Sequence, residues 1–157
     1  MRAIRALALD VDGVLTDGGF FLGEGGEITK RFSFRDVMGA SLARKQGLRM
    51  VLVTGEGGPL LDALARKFGI DEVRGHCRDK AGALRDYARD QGLSLEEICF
   101  LGDDVNDLPA MAIAGQSAAP SDAHPAVLAK VGRVLSRPGG GGALREWVDA
   151  WLETREP

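Results

Sequence analysis

Apolar positions along the chain fall into short solid runs, and between the runs they recur every three or four residues. Ile4–Leu9, Leu48–Val53 and Ile98–Leu101 are nearly unbroken apolar runs, which predicts strands buried on both faces. Weaker strands are expected at Ile70–Val73, Gln116–Ala119 and Val131–Leu135. Helical spacing marks Asp36–Gln46, with Val37, Ala40, Leu42 and Ala43 as a rough stripe ended by Gly47. It marks Pro59–Phe68, where Pro opens the helix and Gly69 closes it, and Lys80–Gln91, with Ala81, Leu84, Tyr87 and Ala88 on one side. Shorter helices are expected at Leu108–Ile113 and His124–Ala129, and Ala143–Thr154 carries Leu144, Trp147, Val148, Trp151 and Leu152 on one face. The stretch "GGFFLGEGGEITK", Gly18 to Lys30, predicts a projecting β-hairpin. Strands alternating with helices at short spacing mean an α/β domain with a mostly parallel sheet.

Such sheets bind ligands beyond the carboxyl ends of their strands. Polar residues recur at those ends: Asp10 and Asp12, then Thr54, then Asp103 and Asp104. The topology gathers them at one rim.

Composition narrows the function classes. The 157 residues suit a single domain, 1–157, with residues 139–157 as a Gly-rich turn and closing helix. A net charge of −3 with mixed signs argues against nucleic acid as the main partner. No apolar run approaches the ~20 residues of a membrane span. Residues 1–9 lack the pattern of a secretory signal, and the two cysteines, Cys77 and Cys99, make no disulfide framework. A cytoplasmic protein is expected. His76 and His124 are too isolated for a zinc site and read as structural. Trp147 and Trp151 read as packing, and Arg35, Arg44, Lys45 and Arg49 as a solvated face.

The pair Asp10 and Asp12 carries the chemistry. Side chains two apart on extended backbone point the same way, and paired carboxylates repel unless a cation or a shared proton relieves them. Gly13 lets the chain turn sharply after the pair. A hard cation such as Mg²⁺ suits oxygen ligands and a substrate phosphate. Asp103 and Asp104 can complete its site, while Thr54, the Gly55 N–H and Lys80 supply donors and charge for a phosphate dianion. A nucleophilic carboxylate beside a carboxyl that passes a proton makes a phosphatase.

"DVDGV", "VTG", Lys80 and "GDDVND" resemble, in order, the four motifs of the haloacid dehalogenase-like phosphatases. The resemblance implies a three-layer Rossmann-like fold. It implies Asp10 as nucleophile through an aspartyl-phosphate, and Asp12 as acid, then base, with its carbonyl on Mg²⁺. It implies Thr54 as the phosphoryl holder, Lys80 as charge balance and Asp103 as metal ligand, supported by Asp104, Asn106 and Asp107. Asp10 to Thr54 spans 44 residues and Thr54 to Lys80 spans 26, too few for a cap domain. The site must still be shielded, so a homo-oligomer joined through the hairpin flap is expected.

"DVDGVLTDG", "GDDVNDLPAM" and "GGGGALREWVD" are similar to a narrower group, the capless tetrameric phosphatases of 2-keto-3-deoxy sugar acids. That likeness implies a sugar-acid phosphate as substrate and a tail that brings Arg145 to its carboxylate. The eight-carbon, octulosonate branch usually carries Thr-Gly-Arg where this chain has Thr54-Gly55-Glu56. The nine-carbon, nonulosonate branch is similar in having Glu there and Lys at the position of Lys67. The favoured substrate is therefore 2-keto-3-deoxy-nonulosonate 9-phosphate. Glu56 would meet sugar hydroxyls, and Lys67, or Arg66 beside it, would meet the carboxylate from across an interface. The plainer reading makes Glu56 a charge at the start of the helix near Pro59. Rival functions are the eight-carbon phosphatase and a non-catalytic oligomerisation or regulatory domain. A dinucleotide-binding turn at "VLVTGEGG" fails on glycine spacing.

Overall fold

The computed structural model describes residues 3–70 and 72–155. Its centre is a sheet whose first strand, β1 (Ala6–Leu9), is fully buried. The chain then makes a hairpin, β2 (Phe21–Leu22) and β3 (Ile28–Thr29), and a helix, α1 (Phe34–Lys45). Next come β4 (Arg49–Val53), α2 (Pro59–Phe68), β5 (Glu72–Arg74) and α3 (Lys80–Gln91). β6 (Ile98–Leu101), α4 (Leu108–Ile113), β7 (Gln116–Ala119), α5 (Pro125–Leu128), β8 (Arg133–Val134) and α6 (Ala143–Glu153) complete it.

The strand order is β5-β4-β1-β6-β7-β8, with every pairing parallel. Alternation along the strands builds two cores. Leu7, Leu9, Met50, Leu52, Cys99 and Leu101 face one layer with residues of α1, α2 and α6. Ala6, Ala8, Val51, Val53, Ile98 and Phe100 face the other with residues of α3, α4 and α5. This is the three-layer arrangement that the family resemblance implies. The chain leaves β1 toward β4 and β5 and then returns to β6 on β1's other side. That reversal opens a crevice beyond the carboxyl ends of β1 and β6, where Asp10 and Asp103 stand.

Several elements differ from expectation. The edge strand lies at Glu72–Arg74 rather than Ile70–Val73, because Ile70 is spent closing the turn after α2, with its N–H on Ala65 O. Asp71, inside the expected strand, lies outside the described residues. α1 begins at Phe34, capped by the Ser33 side chain, two residues before Asp36. Asp36 is instead fully buried, accepting the N–H groups of Gly142 at 3.1 Å and Arg145 at 3.0 Å. It caps the start of α6 from another helix. Burial pushes its carboxyl above the usual range, against the lowering effect of those N–H donors.

The glycines of residues 139–142 also gain an explanation. A Cβ at Gly139 would strike the carbonyl of Gly13, and one at Gly140 would come within 2.6 Å of Asp17 N. The Gly140 N–H donates to Val14 O at 2.9 Å. The tail is thus pinned to the back of the loop that follows β1. Trp147 and Trp151 are core residues, stacked 6.4 Å apart, and His124 caps α5, as their plainer readings hold.

Candidate active site

Asp10 is the first residue past β1, and its N–H donates to Leu101 O at 2.9 Å, so β6 fixes its height at the rim. The loop then turns through Gly13 at φ 85°, a left-handed conformation that favours glycine. A Cβ there would also collide with the Asp103 carboxylate. Glycine is therefore what lets the ends of β1 and β6 bring two carboxylates together.

Lys80, the first residue of α3, is nearly buried and sits between two carboxylates. Its Nζ lies 3.0 Å from Asp10 Oδ1 and 2.7 Å from Asp107 Oδ1. Burial alone would push Lys80 down, but the two anions outweigh it and hold the amine above its usual range. The second Asp107 oxygen accepts the N–H groups of Asp103 at 2.9 Å and Asp104 at 3.2 Å. Asp107 is thereby committed to holding Lys80 and the turn after β6.

Burial, reinforced by Asp107 and opposed by Lys80, lifts Asp10 to about 6. Burial, reinforced by Asp10, Asp107 and Asp104, lifts Asp103 to about 7. Asp103 Oδ1 is buried with no hydrogen-bond partner. Oxygens of Asp10, Asp103 and Asp107 lie within 4.8 Å of one another. An unpartnered buried carboxylate oxygen among hard donors fits a divalent cation of the Mg²⁺ kind. Since Asp107 has spent both oxygens, Asp10 and Asp103 are the carboxylates left to hold it.

The sign of the pH dependence follows. Both carboxyls bind protons more tightly folded than unfolded, where the ordinary value is 3.8. Their contribution to stability is full below about 4 and lost as pH rises through about 6 to 7 in metal-free protein. Mg²⁺ should therefore raise Tm more at pH 8 than at pH 5, where it must displace protons. Calorimetry with EDTA and with Mg²⁺ checks this, and equal stabilisation at both values would contradict it.

Thr54, just past β4, is buried, and its Oγ1 accepts the Glu56 N–H at 3.2 Å. Asp10, Asp12, Thr54, Gly55, Glu56, Asp103, Asp104 and Asn106 line one pocket of 210 Å³. Glu56 is exposed there. The helix beside it is capped by Gly58 with no side-chain bond, so Glu56 is not its cap.

Four sequence candidates do not line this pocket: Lys80 and Asp107, which meet Asp10 and Asp103, and Lys67 and Arg145. Lys67, in the last turn of α2, places its Nζ 4.9 Å over the exposed Phe34 ring. Arg145 is paired through Nε with Asp149 at 2.8 and 2.9 Å. One further contact to the site is marked by no sequence motif. Lys30, following β3, places its Nζ 2.7 and 2.9 Å from the two oxygens of Asp12. A lone lysine in a hairpin has no spacing that announces such a contact.

Known proteins resemble this chain in sequence and in fold. Residues 27–112 match the haloacid dehalogenase-like hydrolase family model. The chain is 35% identical over 149 residues to the 3-deoxy-D-manno-octulosonate 8-phosphate phosphatase KdsC of Escherichia coli K12, covering 95% of this chain and 79% of that protein. The Yersinia pestis 3-deoxy-D-manno-octulosonate 8-phosphate phosphatase superposes with a TM-score of 0.94 at 36% identity, covering 97% of this chain and 82% of the other. The Moraxella catarrhalis phosphatase of the same name, in complex with a magnesium ion, a phosphate ion and a KDO molecule, gives 0.92 at 29% identity, covering 96% and 86%.

Proposed function

Because the chain belongs to the haloacid dehalogenase-like hydrolases, we propose that its rim carries a phosphomonoesterase site in which Asp10 is the nucleophile and Asp12 the acid and base. The observation that carries this reading is the buried Lys80 held between Asp10 and Asp107, beside an unpartnered Asp103 oxygen. So many carboxylates around one lysine repel a phosphate dianion. Mg²⁺ bound by Asp10, Asp103 and the Asp12 carbonyl would supply the missing positive charge and polarise the phosphoryl group.

The residues then divide the work. Thr54 Oγ1 and the Gly55 N–H donate to phosphoryl oxygens. Lys80 holds the Asp10 carboxylate and balances charge next to it. An Asp10 oxygen attacks phosphorus, the bond to the sugar oxygen breaks, and that oxygen takes the Asp12 proton. Water then attacks phosphorus, loses a proton to Asp12 and releases Asp10 with inorganic phosphate. Asp104, Asn106 and Asp107 shape the turn that presents Asp103.

The substrate class this reading favours is the phosphate monoester of a 2-keto-3-deoxy sugar acid, in line with the named activity of the relatives. Glu56 lines the pocket and is exposed there, where its carboxylate would accept hydrogen bonds from sugar hydroxyls, which favours the nine-carbon acid with its one extra hydroxyl. The eight-carbon acid is the second reading, favoured by the relatives' activity. Glu56→Arg should lower kcat/KM for the nine-carbon substrate relative to the eight-carbon one by about tenfold, or 1.4 kcal/mol. Side-by-side kinetics with both substrates measure this, and an unchanged ratio would reject Glu56 as selector.

A homo-oligomer completes the proposal. Phe20, Phe21, Leu22 and Ile28 on the hairpin and Phe34 and Met38 on α1 are exposed large apolar residues. Exposed large apolar side chains gathered on one stretch of chain favour an interface. A partner seated there would shield the pocket and offer its Lys67 or Arg145 to the substrate carboxylate. Light scattering at assay concentration should show an oligomer, a tetramer by likeness to its group, whereas a monomer at full activity would remove the argument.

A further inference from the structure

We propose that Lys30 is a positioning residue that holds Asp12 as the base for breakdown of the aspartyl-phosphate. The proposal rests on the assignment of Asp10 and Asp12 above. It concerns a contact that no motif carries.

Asp12 is the less sheltered of the two rim aspartates, with 31% of its side chain exposed against 9% for Asp10. Its carboxylate has few other restraints. The Thr16 hydroxyl, at 3.4 Å, is the one other hydrogen-bond partner of that side chain among the described residues. Lys30 meets both oxygens at 2.7 and 2.9 Å, the short range of charge-assisted bonds. The lysine is itself held. Its side chain is only 15% exposed, although the hairpin around it is open to solvent. Two residues on, Phe32 bridges to Thr16 of the nucleophile loop and sets its ring 5.7 Å from the core residue Phe68. The chain that carries Lys30 is therefore tied to the loop that carries Asp12.

The two halves of the reaction ask different things of Asp12. In the first it gives a proton to the sugar oxygen, and an ammonium beside it does not assist. In the second the leaving group is the Asp10 carboxylate, which needs no proton. What is needed there is a carboxylate aimed at the attacking water. The water O–H bond breaks toward Asp12, a new P–O bond forms, and the P–O bond to Asp10 breaks. An ammonium that holds both Asp12 oxygens fixes the direction of that base. Lys30 touches Asp12 and not the reacting atoms, so its loss should fall on the second half-reaction.

Rapid-quench kinetics with 4-nitrophenyl phosphate and Mg²⁺ separate the halves, because nitrophenolate leaves without help from an acid. The holoenzyme is compared with Lys30→Met and Lys30→Arg. In Lys30→Met the ratio of the first-turnover rate to the steady-state rate should rise roughly tenfold or more. Acid-quenched protein should then carry phosphate in larger amount, and Lys30→Arg should restore most of the steady-state rate. Equal slowing of both phases, or wild-type kinetics in Lys30→Met, would overturn the role of Lys30. Borohydride treatment of the quenched wild type separates this from the underlying assignment. Reduction at Asp10 with no excess phosphoenzyme in Lys30→Met sinks the Lys30 proposal alone, and no reduction at Asp10 sinks the assignment and the proposal with it.

Discussion

Asp10→Asn is expected to lower turnover of a sugar-acid phosphate by roughly 10⁴-fold or more while leaving the fold intact. The amide keeps the size of the side chain and one acceptor oxygen, but it is a poor nucleophile and a weak partner for Lys80. Loss of a buried charge that burial already strains should not unfold the protein. The variant should keep its oligomeric state in light scattering. Steady-state assays of protein purified in parallel measure the loss, and retention of near-normal activity would mean that another group attacks phosphorus.

Lys80→Met is expected to cost activity and stability together. Lys80 is 3% exposed, Asp107 0% and Asp10 6%, so removing the cation leaves two buried carboxylates uncompensated. Breaking a buried ion pair from one side costs about 3–5 kcal/mol. The raised amine contributes its stability below its ordinary value of 10.5, so the contribution is complete at neutral pH. The cost should shrink as pH falls toward about 6, because Asp10, no longer lowered by Lys80, takes up a proton in the variant before it does in the wild type. Urea denaturation of metal-free wild type and variant at pH 8 and pH 5 measures this. A gap that stays constant, or widens at pH 5, would contradict the charge-balancing role. Activity should fall as well, since Asp10 loses the group that holds it.

The helices legible in the sequence were those whose ends carry their own punctuation. Pro59 and the left-handed Gly69 bound α2 where the spacing places it, and the Asp79 cap and left-handed Gly92 bound α3. Sequence spacing starts α1 two residues late, because its start depends on the Ser33 side chain and because Asp36 serves α6 rather than its own helix. No local pattern reveals a cap supplied from 106 residues away. The edge strand departs from its expected place for a related reason, since its position is set by register with Val51–Val53.

The acidic rim was legible because each carboxylate follows an apolar strand, and parallel strands deliver their ends to one side. The division of labour within it was not. That Asp107 spends both oxygens on structure while Asp103 keeps one free is a matter of side-chain geometry. The same holds for Lys30 on Asp12, which requires the hairpin to fold back over the loop. The close approach of Gly139 and Gly140 to the nucleophile loop is equally hidden in the sequence, since it joins segments far apart along the chain.

Covalent chemistry at Asp10 is the centre of the proposed mechanism, and trapping the intermediate tests it. Wild-type protein turning over substrate with Mg²⁺ is quenched, treated with borohydride and mapped by peptide mass spectrometry, with Asp10→Asn as control. Reduction of the side chain at position 10 is expected in the wild type, and none in the control. Reduction at a different carboxylate, or none in an enzyme that is turning over, would contradict that mechanism.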